Sequence, residues 1–411
     1  MKNFYLTLLA IFILTSGFSQ KFEKLAMTPP MGWNSWNRFE CEINEQVVRD
    51  AADAMVSSGM KDAGYEYIVI DDCWQISRDN QGFIQADPQK FPSGIKALAD
   101  YIHSKGLKFG IYSCAGRKTC ANRPGSRGYE FQDAISYASF GVDFLKLDWC
   151  NSEGQNAVES YTLMRDALHA AGRPVVFSLC EWGLHKPWEW AAKVGHLWRT
   201  TGDIRNNWNI PDAKEGKVWA GGVVINLDMQ QGLEKYAGPG GWNDPDMLQV
   251  GNGALNDSEN RAHFGLWCML AAPLFAGNDL TKMTKTTRNL LTNTELIAIN
   301  QDPLGKQGFK IKDYGEMEVY CKPLMNDELA ICIFNRFDYP VTVEMDWKTF
   351  QVTTIRDGKR MQLPMNIDRN DIQLNRIYSV RDVFAKKETG TTSHVFNREI
   401  QSHDVAVFRL K

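Results

Sequence analysis

A chain of 411 residues is long enough for one large domain and a smaller one. Its apolar fraction of 44% and charged fraction of 23% are those of an ordinary globular protein. A formal net charge of −3 supplies no basic field and argues against nucleic acid as a partner.

The first segment reads as an export signal. Lys2 supplies a positive n-region, Phe4 to Leu14 is an apolar run, and Gly17-Phe18-Ser19 offers a small-residue cleavage site. Residues 1–19 are therefore expected to be a signal peptide, and the mature chain to be exported, periplasmic or secreted. The apolar run is shorter than the ~20 residues of a membrane span, and a short uncleaved anchor is the alternative. No Cys follows it to carry a lipid, and no later segment is long and apolar enough to cross a bilayer, so no stable membrane insertion is expected after cleavage. Export permits disulfides. Nine cysteines is an odd count, which leaves at least one unpaired unless it bonds another chain. No Cys/His spacing resembles a zinc site.

Between residues 44 and 204 a unit recurs: an amphipathic helix, a Gly, an apolar strand, then polar residues. In the first unit Val48, Ala52, Met55 and Val56 share a helical face, Gly64 follows, and the strand Tyr67 to Ile70 runs into Asp71-Asp72. The second places Ile95, Leu98 and Ile102 on a face before Gly106 and the strand Lys108 to Tyr112. In the third, Ile135 and Ala138 precede Gly141, and an apolar strand ends in Lys146-Leu147-Asp148. The fourth sets Val158, Tyr161, Met164 and Leu168 before Gly172 and the strand Val175 to Leu179, which ends at Cys180-Glu181. In the fifth, Gly195 precedes Leu197 to Arg199, and Asp203 lies just beyond.

Gly after a helix suits the left-handed turn that leads into a strand. Strands alternating with helices indicate a parallel sheet covered on both faces. An open doubly wound sheet and a closed (β/α)8 TIM barrel both fit. Polar residues after at least four successive strands favour the barrel, where they share one rim; an open sheet would concentrate them at a switch point. The barrel is expected over residues 24–305. Beyond Asn300-Gln301-Asp302-Pro303-Leu304-Gly305 the helical period fades. Short alternating runs at Met317 to Cys321, Leu329 to Phe334, Val341 to Met345, Ile377 to Val380 and Val405 to Leu410 indicate an antiparallel β-sandwich over residues 306–411.

Asp148 could simply cap the next helix. Lys146, two residues earlier on the same strand face, gives it a second reading, because a neighbouring cation keeps a carboxylate ionised as a nucleophile requires. Asp203 follows Arg199 by four residues and could be its salt-bridge partner or a proton donor. Two acids delivered by two strand ends are what cleavage of a glycosidic bond needs. Asp71-Asp72 could bind a metal or grip adjacent sugar hydroxyls, although a Mg²⁺ or Ca²⁺ site usually gathers more oxygen ligands in a short loop. Asp244 and Asp246 flank Pro245 and share that ambiguity; a supporting role on a rigid rim loop is favoured. Trp33, Trp36, Trp74, Trp149, Trp182 and Trp242 fall near expected rim positions, as the aromatic walls of a small-molecule pocket would.

These residues together resemble glycoside hydrolase family 27 α-galactosidases (melibiases). The likeness rests on Met31-Gly32-Trp33-Asn34-Ser35-Trp36, Lys61-Asp62-Ala63-Gly64-Tyr65, Ile70-Asp71-Asp72-Cys73-Trp74 and Leu145-Lys146-Leu147-Asp148. Cys180-Glu181-Trp182, Gly238 through Met247 and Ala298 through Gly305 extend it. The resemblance implies an exo-acting, retaining enzyme with Asp148 as nucleophile and Asp203 as acid/base, and no metal or organic cofactor. It implies that Asp71, Asp72 and Lys146 hold the C3, C4 and C6 side of a terminal α-galactoside, that Trp36 packs on the ring, that Tyr112 joins the sugar site, and that Arg199 and Glu181 face C2. Glu181 and Leu184 would exclude the acetamido group of an α-N-acetylgalactosaminide. Links Cys41–Cys73 and Cys120–Cys150 are implied as well, whereas Cys180 lacks the partner near residues 194–196 that some members have. Relatives of other specificity, acting on a β-L-arabinopyranoside or an α-glucan, and an inactive glycan-binding barrel are the alternatives.

Overall fold

The computed structural model describes residues 21–214, 217–369, 372 and 374–411. The expected signal peptide, residues 1–19, lies outside them.

Eight strands form one parallel sheet whose neighbours follow chain order: β1 (Met31–Asn34), β2 (Tyr67–Val69), β3 (Lys108–Cys114), β4 (Phe144–Asp148), β5 (Val176–Cys180), β6 (Leu197–Arg199), β7 (Trp242–Asp244) and β8 (Leu274–Ala276). β8 pairs with β1, and the remaining seam is bridged just beyond β7, where the Leu248 amide donates to Phe275 at 2.8 Å and its carbonyl accepts from Gly277. The sheet is thus a closed barrel with its strand C-termini on one rim. Its interior is filled by Tyr67, Phe144, Phe275, Val176 and Leu197, and Leu25 and Ala26 pack against the same cluster.

Helices cover the outside. Asn44 and Asn156 cap Glu45–Ser57 and Ala157–Ala171, each accepting from a backbone amide in the first turn. Gly141 and Gly172 end their helices at φ +85° and +80°, where a Cβ would be strained. Gly195 does not share this role. It follows a short 3-10 turn, and a Cβ there would sit 2.1 Å from Leu179, so it is small because two segments touch. Some helix faces also differ from the sequence reading. Ile135, Val158 and Val56 are exposed, and helix Glu130–Phe140 instead buries Asp133, Ala134, Ser136 and Tyr137. Burial of Asp133 follows from Arg78, which meets its carboxylate at 2.6 and 2.8 Å.

Residues from Phe309 onward form a seven-stranded and a four-stranded antiparallel sheet around their own apolar core. The strand Val405–Leu410 is buried on both faces: Ala406, Phe408 and Leu410 enter the sandwich core, while Val405 and Val407 join the barrel core. Opposite them on helix Asp257–Met269 sits Gly265, where a Cβ would lie 3.3 Å from Val405. No helix among the described residues is long and apolar enough to cross a membrane.

Candidate active site

The strand C-termini surround a narrow cleft. It is lined by Trp36, Asn37, Asp71, Asp72, Tyr112, Cys120, Lys146, Asp148, Arg199, Asp203, Asp246 and Met247.

Asp148 is the last residue of β4 and nearly buried. Its Oδ1 accepts from the Trp149 amide at 2.8 Å, and its Oδ2 accepts from the Tyr112 hydroxyl at 3.0 Å. Burial pushes its carboxyl up to about 7, against the pull of Lys146 and with a smaller upward push from Asp203. The Tyr112 phenol is driven well above its usual range by burial and by Asp148, so it stays protonated and donates.

Lys146 reaches Asp71 Oδ2 at 2.8 Å. Burial opposes its charge, but Asp71, Cys180 and Asp148 together hold it well above the ordinary lysine value. Asp71 Oδ2 also accepts from Asn34 at 2.8 Å, so this carboxylate is fixed from two sides. Asp72 accepts from the Cys73 and Ala121 amides at 2.7 and 2.9 Å. Burial raises its carboxyl above the usual value, with the two amides working the other way.

On the far side, Arg199 is buried at the end of β6. Its guanidinium lies 3.2 Å from Asp203 and 3.0 Å from Asp246. Burial works against the charge on Asp203, but Arg199 and then Lys146 outweigh it and hold the carboxyl below the usual range. Asp246 also accepts from the Ile204 and Met247 amides at 2.8 Å each. Its backbone stands at φ +82°; Cys73 after β2 and Trp182 after β5 are likewise left-handed, at +74° and +61°. Strained non-glycine residues at three strand ends are typical of a rim shaped for function.

Disulfides Cys41–Cys73 and Cys120–Cys150 both tie rim loops, and Cys114, Cys180, Cys268 and Cys332 are free and buried. Cys120, Asp148 and Cys150 offer atoms within 4.8 Å of one another, but both sulfurs are spent in the disulfide and supply no thiolate to a metal.

The cleft thus gathers Trp36, Asp71, Asp72, Tyr112, Lys146, Asp148, Arg199 and Asp203. Glu181 and Leu184, which the resemblance sets at the C2 side of the sugar, are not among its lining residues. The Glu181 carboxylate turns into its own loop, where Oε2 accepts from the His185 amide at 2.7 Å and meets its ring nitrogen at 2.8 Å. Leu184 is 54% exposed and borders a second, open depression with Trp149, Trp182 and His185. That depression meets the cleft at Cys120.

The tryptophan wall is also thinner than expected. Trp33, Trp74 and Trp242 are core residues, with indole N–H groups donating to Asn278, Tyr112 and Ala26 carbonyls. The sequence reading missed Asn37 and Met247 as lining residues and gave Asp246 only a supporting role. Asn37 presents a buried Nδ2 without a protein acceptor. Asn37 adjoins the block that ends at Trp36 and Met247 closes the block Gly238–Met247, and those places were the available signal.

Comparison with known proteins identifies the family. The family described as Alpha galactosidase A matches residues 28–302, and the Alpha galactosidase C-terminal beta sandwich domain matches residues 314–410. The chain is 51% identical to alpha-galactosidase A of Cellvibrio japonicus over 406 residues, covering 98% of this chain and 96% of the relative. It is 49% identical to an alpha-galactosidase of Oryza sativa subsp. japonica, covering 79% and 75%. The crystal structure of alpha-galactosidase I from Mortierella vinacea superposes with a TM-score of 0.85 at 36% identity, covering 94% of this chain and 98% of that one. The chain belongs to the glycoside hydrolase family 27 α-galactosidases, with a (β/α)8 barrel followed by the family's C-terminal β-sandwich.

Proposed function

We propose that the protein is an exo-acting, retaining α-galactosidase that removes terminal α-D-galactosyl residues by double displacement. The observation that carries this reading is the meeting of Asp148 and Asp203 in one cleft that also holds the Asp71–Lys146 pair. Asp148 attacks the anomeric carbon through a carboxylate whose two oxygens are oriented one by the Trp149 amide and the other by the Tyr112 hydroxyl. Asp203 gives its proton to the leaving oxygen, then takes one from the water that releases the sugar. The two carboxyls share one cleft and titrate as a pair. In the empty cleft Arg199 favours charge on Asp203 and burial favours a proton on Asp148; the arriving glycosidic oxygen draws the proton to Asp203.

Asp71, Asp72 and Lys146 supply the acceptors and donor for hydroxyls on the C3, C4 and C6 side, and Arg199 faces the C2 side. Trp36 offers its ring to the apolar face of the sugar. The Asp71-Asp72 pair favours galactose over arabinopyranose, which lacks C6. Export to the periplasm or beyond forms part of the proposal, supported by the charged and apolar pattern of residues 2–14 and by two loop disulfides.

The test is hydrolysis of aryl α-galactoside beside aryl α-N-acetylgalactosaminide and β-L-arabinopyranoside, with proton NMR of the first-formed sugar. Preferred turnover of the α-galactoside with α-galactose appearing first is expected. A β-anomer appearing first, or preference for another glycoside, overturns the reading.

A further inference from the structure

The loop that carries Asp203 is braced by an element the catalytic motifs do not include. Residues Pro211–Lys214 and Lys217–Gly221 form a β-hairpin. Its second strand grips the Asp203 segment on both sides: the Gly202 amide donates to the Trp219 carbonyl at 2.8 Å, and the Arg205 amide donates to Gly221 at 2.8 Å. Arg205 also holds Asp212 of the first strand at 2.6 Å.

The Trp219 side chain closes this arrangement. Its indole lies so close over Gly202 that a Cβ on that glycine would come within 2.3 Å of the ring. The same indole meets Trp182 edge-to-face at 5.9 Å. Trp182 lines the depression that joins the cleft at Cys120. Trp219 therefore touches the residue next to Asp203 and the wall of the adjoining depression at once.

We propose that Trp219 is a positioning residue for Asp203: its ring sets the approach of that carboxyl to the leaving oxygen. The inference rests on the acid/base role given to Asp203 above. Misplacing a reacting group by a fraction of an ångström lowers the rate without touching the chemistry of the other groups. The deficit should appear only where proton donation matters. Poor leaving groups need the proton, and a dinitrophenolate needs very little help to depart.

The experiment compares wild type, Trp219→Ala and Trp219→Phe on methyl α-galactoside and on 2,4-dinitrophenyl α-galactoside, with melting curves alongside. For Trp219→Ala, kcat/KM should fall about tenfold or more on the methyl glycoside and about twofold or less on the dinitrophenyl glycoside. Trp219→Phe should recover most of the loss. Should Trp219→Ala not fold, Trp219→Leu serves the same comparison. Equal losses on both substrates, or no loss on either, overturn the proposal. Failure of the wild type to cleave the dinitrophenyl glycoside is a separate result, which removes the galactosidase reading and this inference with it.

Discussion

The Arg199 guanidinium lies closer to Asp246, at 3.0 Å, than to Asp203, at 3.2 Å. The proposed acid/base shares its cation with a second carboxylate of the same cleft. Asp246 is more deeply buried and accepts two backbone amides, so it fixes the guanidinium, while Asp203 keeps a partly exposed carboxyl free to exchange a proton.

Replacing Asp246 by Asn should upset that division. Asn tolerates the left-handed backbone at φ +82° and keeps the volume. With the competing charge gone, Arg199 acts on Asp203 alone and holds its carboxyl lower still. The acid limb of the kcat/KM profile should move to lower pH, and the plateau should fall about tenfold because the reactive form, with Asp203 protonated and Asp148 ionised, becomes rarer. An unmoved limb, or one shifted to higher pH, would show that Asp246 does not compete for the arginine.

Asp148→Ala should abolish turnover of aryl α-galactoside while leaving the melting curve of a folded protein. Azide should restore part of the rate, because a small anion can occupy the space of the lost carboxylate and attack from the same face, giving a product of inverted configuration. Near wild-type activity in the purified variant would exclude Asp148 as nucleophile.

Stability should record the same residue. Asp148 is raised in the folded state from 3.8 to about 7, so the folded protein holds a proton that the unfolded chain has released between those values. Its contribution to stability is full below pH 3.8 and is lost as pH rises through about 7. Asp148→Asn removes that dependence. The variant should melt higher than wild type at pH 8, by up to about 4 kcal/mol of stability, and the gap should close near pH 4. Equal melting temperatures across the range would mean that burial does not disfavour the Asp148 charge.

Peptide mapping of the unreduced protein should recover Cys41–Cys73 and Cys120–Cys150, with Cys114, Cys180, Cys268 and Cys332 blocked only after denaturation. Alkylation of all nine in the native state would remove the rim staples.

The barrel was legible in the sequence because each strand and the turn before it are local. Gly141, the apolar run behind it and Asp148 at its end all lie within eight residues, and the rhythm repeats. What escaped reading depends on contacts between distant segments. Ile135 matches an apolar face, yet the Arg78–Asp133 pair turns the helix so that Asp133 goes in and Ile135 stays out. Glu181 sits in the expected motif, yet His185 four residues on captures its carboxylate and draws it from the cleft. The hairpin beside Asp203 left no signal, since Pro211 opens it and its short strands do not alternate.

Val405 and Val407 look into the barrel core while Ala406 and Phe408 look into the sandwich. A strand with both faces in use cannot leave one core without vacating the other. The catalytic barrel and the domain behind it are therefore one cooperative unit, and calorimetry should see a single endotherm whose van't Hoff and calorimetric enthalpies agree.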